Sequence, residues 1–471
     1  MLEGLEISEI KYSEVLKHTL SSRIDSEFFK KTYLKDDKSI AKNGFNKLVK
    51  ITNKINVGFV GAMVKHYRDE GITILQTKNI DSFFINDNNT IKITSKFHNE
   101  LKKSKIHKKD ILIARSGSFG KASIYLDDEV INSSDIIIVE ANEQLINPYF
   151  LVSFLNSKFG INQMIRFASG GLQGHVNLTI LEELEVPKIN DNFQLKIEHL
   201  LELAYSQKQL SKQTYTEAEK ILLEELNLQN FEPTKEAVNI KSFSESFGTS
   251  GRLDAEYYQP KYEKIEQAIK SYSNGFETLD AFIADYSTGY PYKSSSYIKE
   301  NGIPLIRINN VKKGFIDLSK AIQIPKSDLD LSTKDIALEN DILISMSGTI
   351  GNSCKIPKGI KAVVNQRIMK ITPKNFNNEV LPLLINSVIG EYQLNRIGTG
   401  GVQTNISSTD IRKIFIPKII EDKQQQIADL IEQSFTLKKQ SEHLLEVAKK
   451  AVEIAIEENE DVAISYINSQ N

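Results

Sequence analysis

The chain is short of cysteine, of long apolar runs and of any excess of one charge. One cysteine, Cys354, among 471 residues cannot build an internal disulfide framework, and a single thiol in a chain this long points to a reducing cytoplasm. No apolar run approaches the roughly 18 residues that span a bilayer. The opening MLEGLEISEI is acidic and lacks a continuous apolar stretch, so no secretory signal is expected. Basic and acidic side chains nearly cancel, 59 against 61, for a formal charge of −2. That balance neither requires nor excludes nucleic acid, because local patches decide binding. A hydrophobic fraction of 40% and a charged fraction of 25% are those of a globular protein, and the length calls for two or three domains.

Catalytic signatures are also scarce. SGSFGKAS places Gly117, Gly120 and Lys121 too close together for a phosphate-binding P-loop and reads as a strand-ending turn. There is no H-E-x-x-H, and the seven histidines are scattered. INPYF (146–150) has one proline where the Asn-Pro-Pro-aromatic motif of amino-methyltransferases has two, and it reads as the start of a helix. Glu100-Leu101-Lys102 has the Glu-x-Lys form of a nuclease metal site but does not recur. Cys354 reads as a small buried apolar residue.

What the chain does have is a long internal repeat. SSRIDSEFFKKTY (21–33) matches SGRLDAEYYQPKY (250–262), pairing Arg23, Asp25 and Glu27 with Arg252, Asp254 and Glu256. GITILQTKNI (71–80) matches GIPLIRINNV (302–311), and DILIARSGSFG (110–120) matches DILISMSGTIG (341–351). VINSSDIIIV aligns with VVNQRIMKIT, pairing Asn132 with Asn365. GGLQGHVNL (170–178) returns as GGVQTNISS (400–408), and EVPKI (185–189) as FIPKI (415–419). The offset stays between 229 and 233. One domain plan is therefore used twice. Arg23 with Asp25, and Arg252 with Asp254, read as a repeated structural ion pair. His175 faces Asn405 in the alignment, which argues against a repeated metal ligand.

Within each copy, ITIL, DILIARSG and IIIV, and PLIRI, DILISMSG and VVNQRIMKI, read as strands. NPYFLVSFLNSKFGINQMIRF (147–167) and LPLLINSVIGEYQLNRI (381–397) read as helices. Each copy is thus α+β. After each comes a charged segment without Gly or Pro, 192–226 and 421–458. Ile197, Leu201, Ala204, Ser211, Tyr215, Ala218 and Leu222 fall near a 3/4 spacing, as do Ile427, Ile431, Ser434, Ser441, Leu445, Ala448 and Val452. This narrow seam, interrupted midway by Ser and Lys, suits pairing with one other helix, the economical partner being the other copy. Such a pair of about 33 residues would be roughly 50 Å long.

The remaining polar clusters are binding material. LKKSKIHKK (101–109) supplies Lys102, Lys103, Lys105, Lys108 and Lys109, either a phosphate-contacting patch or a solvated loop. Gln76, Lys78 and Asn79 end one predicted strand, and Arg307, Asn309 and Asn310 end its counterpart. These residue types can bond base edges in pairs, and Asn there is equally ordinary turn chemistry. Arg115 ends the DILIA strand, and Gln173, His175, Gln403 and Asn405 sit in the Gly-Gly loops, where phosphate contact is possible.

SGTIG (347–351), GGVQTNIS (400–407), IPKI (416–419), QQQIADLIEQ and LDAEYYQPKY (253–262), duplicated in order and spacing, resemble the specificity subunit of type I restriction–modification systems. The resemblance covers nearly the whole chain. It implies two target-recognition domains (1–190 and 228–420), two spacer helices (191–227 and 421–458) pairing as an antiparallel coiled coil, and a C-terminal tail (459–471). It further implies that each domain reads one half of a split target in double-stranded DNA, and that two modification subunits dock on the helical regions. S-adenosylmethionine, ATP and Mg are then expected on modification and restriction subunits, with no cofactor, metal or catalytic residue on this cytoplasmic chain. The repeated blocks would be scaffold, and specificity would lie where the copies diverge most, at 36–70 against 263–301 and 81–107 against 312–338. The competing reading is a duplicated protein-interaction scaffold without DNA readout.

Overall fold

The computed structural model describes residues 8–17, 25–115, 120–168, 176–234, 236, 238–319, 321–398 and 405–470. It forms two compact units, one of residues 1–209 and 438–471, the other of residues 210–437.

The first unit holds two five-stranded mixed sheets. In one the order is Thr52–Val57, Ile136–Ala141, Ile111–Ala114, Ala122–Ile124, Phe83–Phe84; in the other it is Tyr67–Arg68, Ile91–Ile93, Ile72–Gln76, Ile131–Ser134, Lys105–Ile106. The interior strand Ile136–Ala141 explains its own sequence. Ile137 and Val139 face the main core beneath the helices, while Ile136 and Ile138 face a second cluster with Leu112 and Ala114. A strand covered on both faces needs a continuous apolar run rather than alternation, hence IIIV.

The second unit repeats this plan. Its sheets run Ile283–Ser287, Ile368–Pro373, Ile342–Ser345, Ser353–Lys355 and Gln323–Ile324, Ile303–Ile306, Ala362–Val364, Ile336–Ala337. Cys354 is fully buried in the cluster with Leu343 and Ile368, and burial pushes its thiol up to about 12. Even the divergent stretches keep the plan: helix Lys31–Ala41 has its counterpart in Pro260–Lys270, and strand Phe45–Lys47 in Phe276–Thr278.

Two expectations need correction. Each predicted long helix is two: Pro148–Asn156 then Lys158–Phe167, and Val380–Asn386 then Val388–Ile397. Ser157 and Ser387 make the break, each hydroxyl donating back to a carbonyl of the finished helix, Phe154 O at 2.6 Å and Leu384 O at 2.8 Å. The second helix then folds back so tightly that glycine is needed. A Cβ on Gly160 would lie 2.5 Å from Phe154 O, and one on Gly390 would lie 2.2 Å from Ile385 O. The stretch VVNQRIMKI is likewise two strands in different sheets, separated by Asn365–Arg367 with Arg367 at φ +69°.

That turn also corrects the alignment of the copies. Asn132 pairs with Ile74 while Val363 pairs with Leu305. The lone bridges Phe59–Ser134 and Tyr290–Asn365 are equivalent. Ser134, not Asn132, therefore stands where Asn365 stands, because the second copy has one extra turn residue. Asn132 is buried and hydrogen-bonded to Ser104 and His98.

The two charged segments are helices Asp191–Glu225 and Glu421–Glu457. In the first unit Ile197, Leu201 and Ala204 share a core with Ala448 and Val452; in the second Ala218 and Leu222 share one with Ile427 and Ile431. The serines that interrupt the seam are contacts, not gaps. Ser441 Oγ donates to Ala204 O at 2.7 Å in the first unit. In the second, Ser211 and Ser434 each donate to the other's carbonyl at 2.8 Å. Seven residues forward on one helix, 204 to 211, match seven back on the other, 441 to 434, which is antiparallel order. The segment expected as a tail carries a helix of its own, Glu460–Ser469, capped by Asn459 and burying Ala463 and Ile467 in the first unit.

Candidate nucleic-acid interface

The repeated polar residues turn out to replace backbone. Asn386 accepts from Ser353 N at 2.9 Å and donates to Ser353 O at 2.8 Å, as a neighbouring strand would. Asn156 does the same for Ala122. Gln393 bonds Phe415 in both directions, and Gln163 bonds Glu185. Arg166 donates to Phe28 O and Asp37 and stacks over the Phe28 ring; Arg396 donates to Tyr257 O and Glu266 and stacks over Tyr257. Buried polar groups must be paired, and these side chains pair them.

Asn79 and Asn310 belong to this scaffold, which corrects their reading as DNA contacts. Both are buried. Asn79 Oδ1 accepts from Gln76 N at 3.0 Å while its amide donates to Asn86 O and Asn88 O. Asn310 accepts from Arg307 N at 2.9 Å and donates to Asp317 O. Each holds a tight turn that leaves its neighbours free to face outward.

Those neighbours line an open groove of about 420 Å³ in the second unit. Arg307 and Asn309 from the strand end, Lys312 just beyond, Gly348 and Thr349 from the SGTIG turn, Asn352, and Asn365 to Arg367 surround it. Among the described residues no carboxylate pairs with Arg307, Lys312 or Arg367. Arg307 Nε is buried with no acceptor among them, and a buried donor without a partner costs about 1–3 kcal/mol. Arg367 donates to Asn405 Oδ1 at 3.0 Å, and Asn405 bridges Ser347. The two glycine-rich repeats therefore meet at the groove's edge. Three cations that have no carboxylate partner among the described residues, beside four amides, form a surface that can take phosphate and bond base edges.

At the equivalent positions the first unit is built differently. Gln76 replaces Arg307 and is half-buried; Lys78 replaces Asn309 and is exposed. Arg115 is bound to Asp135 at 3.1 Å, and Lys121 to Asp81 at 2.5 Å. LKKSKIHKK is not one patch. Lys102 and Lys103 are exposed on a short turn, and Lys105 lies half-buried in a strand. Lys108 and Lys109 are taken up by Asp128 at 2.8 Å and Glu143 at 2.6 Å. Arg252 and Asp254 do form the expected ion pair, with both bonds at 2.7 Å. Arg23, Gln173, His175 and Gln403 lie outside the described residues.

Sequence reasoning missed Lys312, Asn352, Asn365, Gln366 and Arg367. A signal was present: each sits beside a repeated anchor, and two reverse charge sign between the copies. Among the described residues no cluster of His, Cys, Asp or Glu could hold a metal ion, and no helix is long and apolar enough to cross a membrane.

The chain is similar to the S subunit of a type-I restriction-modification system from M. genitalium, at 13% identity over 90% of this chain and 95% of that one, with a TM-score of 0.38. It is similar also to the HsdS subunit from Thermoanaerobacter tengcongensis, at 15% identity over 88% and 96%, with a TM-score of 0.29. No curated protein matches it. The family model for the type I restriction modification DNA specificity domain matches residues 28–220 and 283–447, the greater part of both copies. The chain belongs to the type I restriction–modification DNA specificity family.

Proposed function

We propose that this chain reads a bipartite target in double-stranded DNA, one half-site per α+β copy, and presents it to two modification subunits. The observation that carries the reading is the groove of the second unit. Its cations have no carboxylate partner among the described residues, its amides come from strand ends and turns, and its lining changes between copies while the buried amides and arginines that bond backbone recur in both. A protein that reads two different half-sites needs that division of labour. Catalysis then belongs to the partners: S-adenosylmethionine on the modification subunits, ATP and Mg on restriction subunits. Exposed apolar side chains ahead of each copy, Tyr12 and Leu16 in one, Ile240 and Phe243 in the other, suit protein docking better than DNA contact.

The test is to co-purify the chain with its modification subunit and sequence the genomic fragments that the complex retains. Enrichment for one split sequence is expected. A complex that assembles but retains no more DNA than the modification subunit alone would favour the scaffold reading instead.

A further inference from the structure

The two copies reverse their charges around the same turns. The short 3-10 turns Thr77–Asn79 and Ile308–Asn310 are equivalent, so Asp81 stands where Lys312 stands. Asp135 and Arg367 precede the equivalent strands Ile136–Ala141 and Ile368–Pro373, both at positive φ, +53° and +69°. Arg115 and Met346 each follow a strand that pairs with these, and Lys121 and Asn352 both precede the next. In the first copy each acid is bound by a neighbouring cation, Asp135 by Arg115 and Asp81 by Lys121. In the second, cations occupy the acid positions, and the positions of the first copy's cations hold neutral Met346 and Asn352. The first set is therefore internally neutralised, whereas the second presents Arg307, Lys312 and Arg367 to whatever enters the groove.

The residue at the strand end changes in the same sense. Arg307 lines the groove, and its buried Nε lacks an acceptor among the described residues. A guanidinium is a planar fork of donors with no acceptor, and its complement on a base edge is the O6/N7 pair of guanine. Gln76, at the same place in the first copy, has both a donor and an acceptor and lacks that preference.

We propose that the second copy reads a guanine through Arg307 and carries most of the salt-dependent affinity through Lys312 and Arg367. At the positions of Lys312 and Arg367 the first copy offers DNA no free cation, because Asp81 and Asp135 are bound by Lys121 and Arg115. This rests on the DNA-reading function proposed above. Lys312 supplies a point charge for phosphate, and Arg367, steadied by Asn405, is already oriented before DNA arrives.

The experiment uses the complex with its modification subunit and maps adenine methylation genome-wide for the natural chain, Arg307→Gln and Arg307→Lys. Both variants should lose about 5- to 150-fold discrimination at one guanine of one half-site, leaving the other half-site and the gap unchanged. Lysine keeps the charge but not the fork, so relaxation in both variants separates base reading from loss of charge. Thermal denaturation of each complex shows whether it is folded. Lys312→Gln should weaken binding to all sequences and reduce the slope of log affinity against log salt by about 0.9. A split motif that survives both Arg307→Gln and Arg307→Lys with full guanine discrimination overturns the inference while leaving the bipartite function standing. Absence of any motif with the natural chain overturns the function itself.

Discussion

Asp110 carries a stability penalty. Its carboxylate is buried and accepts from His107 N at 2.7 Å. Burial pushes it up to about 6 against the hydrogen bond's opposite pull. In the second copy Asp341 has Thr372 at 2.6 Å and Lys370 at 3.8 Å as well. Because the Asp110 pKa is raised on folding, the folded state holds the proton more tightly than the unfolded chain between about pH 4 and 6. The group is neutral toward stability at low pH and costs increasingly as pH rises through 6, on the order of 2–3 kcal/mol. Asp110→Asn keeps the acceptor and removes the charge. Melting temperatures of the two proteins should diverge in the variant's favour from pH 5 to pH 7.5; parallel pH profiles would contradict this. Asn386→Ala should be costlier, about 2–4 kcal/mol, since it strands the buried N–H and C=O of Ser353. A shift of the urea midpoint equivalent to less than ~0.5 kcal/mol would show that the pairing contributes little. Single residues were also the least legible part of the sequence. An amide that replaces a missing strand, such as Asn79 or Asn386, looks the same in a sequence as one that faces a ligand, such as Asn309. Only burial tells them apart.

The spacer seam shows what periodicity does and does not reveal. The 3/4 spacing identified residues that are buried, from Ile197 to Leu222 and from Ile427 to Val452, with Tyr215 and Leu445 buried only in part, and hence the pairing face. It gave the serines the wrong sign. Small side chains that donate across the seam let the two helices approach closely there. Ser211→Leu should therefore destabilise by about 1–3 kcal/mol through overpacking, although it makes the heptad more apolar. A raised melting temperature would refute that account. The same logic applies to the tight fold-back between paired helices: Gly390→Ala drives a Cβ against the Ile385 carbonyl and should lower stability by a comparable amount, read from the same denaturation curves. The breaks at Ser157 and Ser387 escaped periodicity because apolar residues continue at near-helical spacing on both sides of each serine. A hydroxyl cap and a close glycine decide the break, and neither changes the apolar pattern.

For the whole molecule, duplication was the most legible property, since order and spacing of blocks survive even where identity is lost. Helix Lys31–Ala41 and its counterpart Pro260–Lys270 begin in a matched block and run on into stretches with little shared wording. Burial pattern fixes such elements, and many sequences satisfy it. The groove was less legible because it gathers residues from four separate segments, 307–312, 348–349, 352 and 365–367, that only the fold brings together. The division between a shared buried scaffold and unlike exposed linings is what a reader of two different half-sites requires. The most direct measurement is a genome-wide methylation map of cells that express the chain with its modification partner. The account predicts one motif in two unlike halves separated by a gap of constant length. A contiguous motif, or methylation indifferent to sequence, would contradict it.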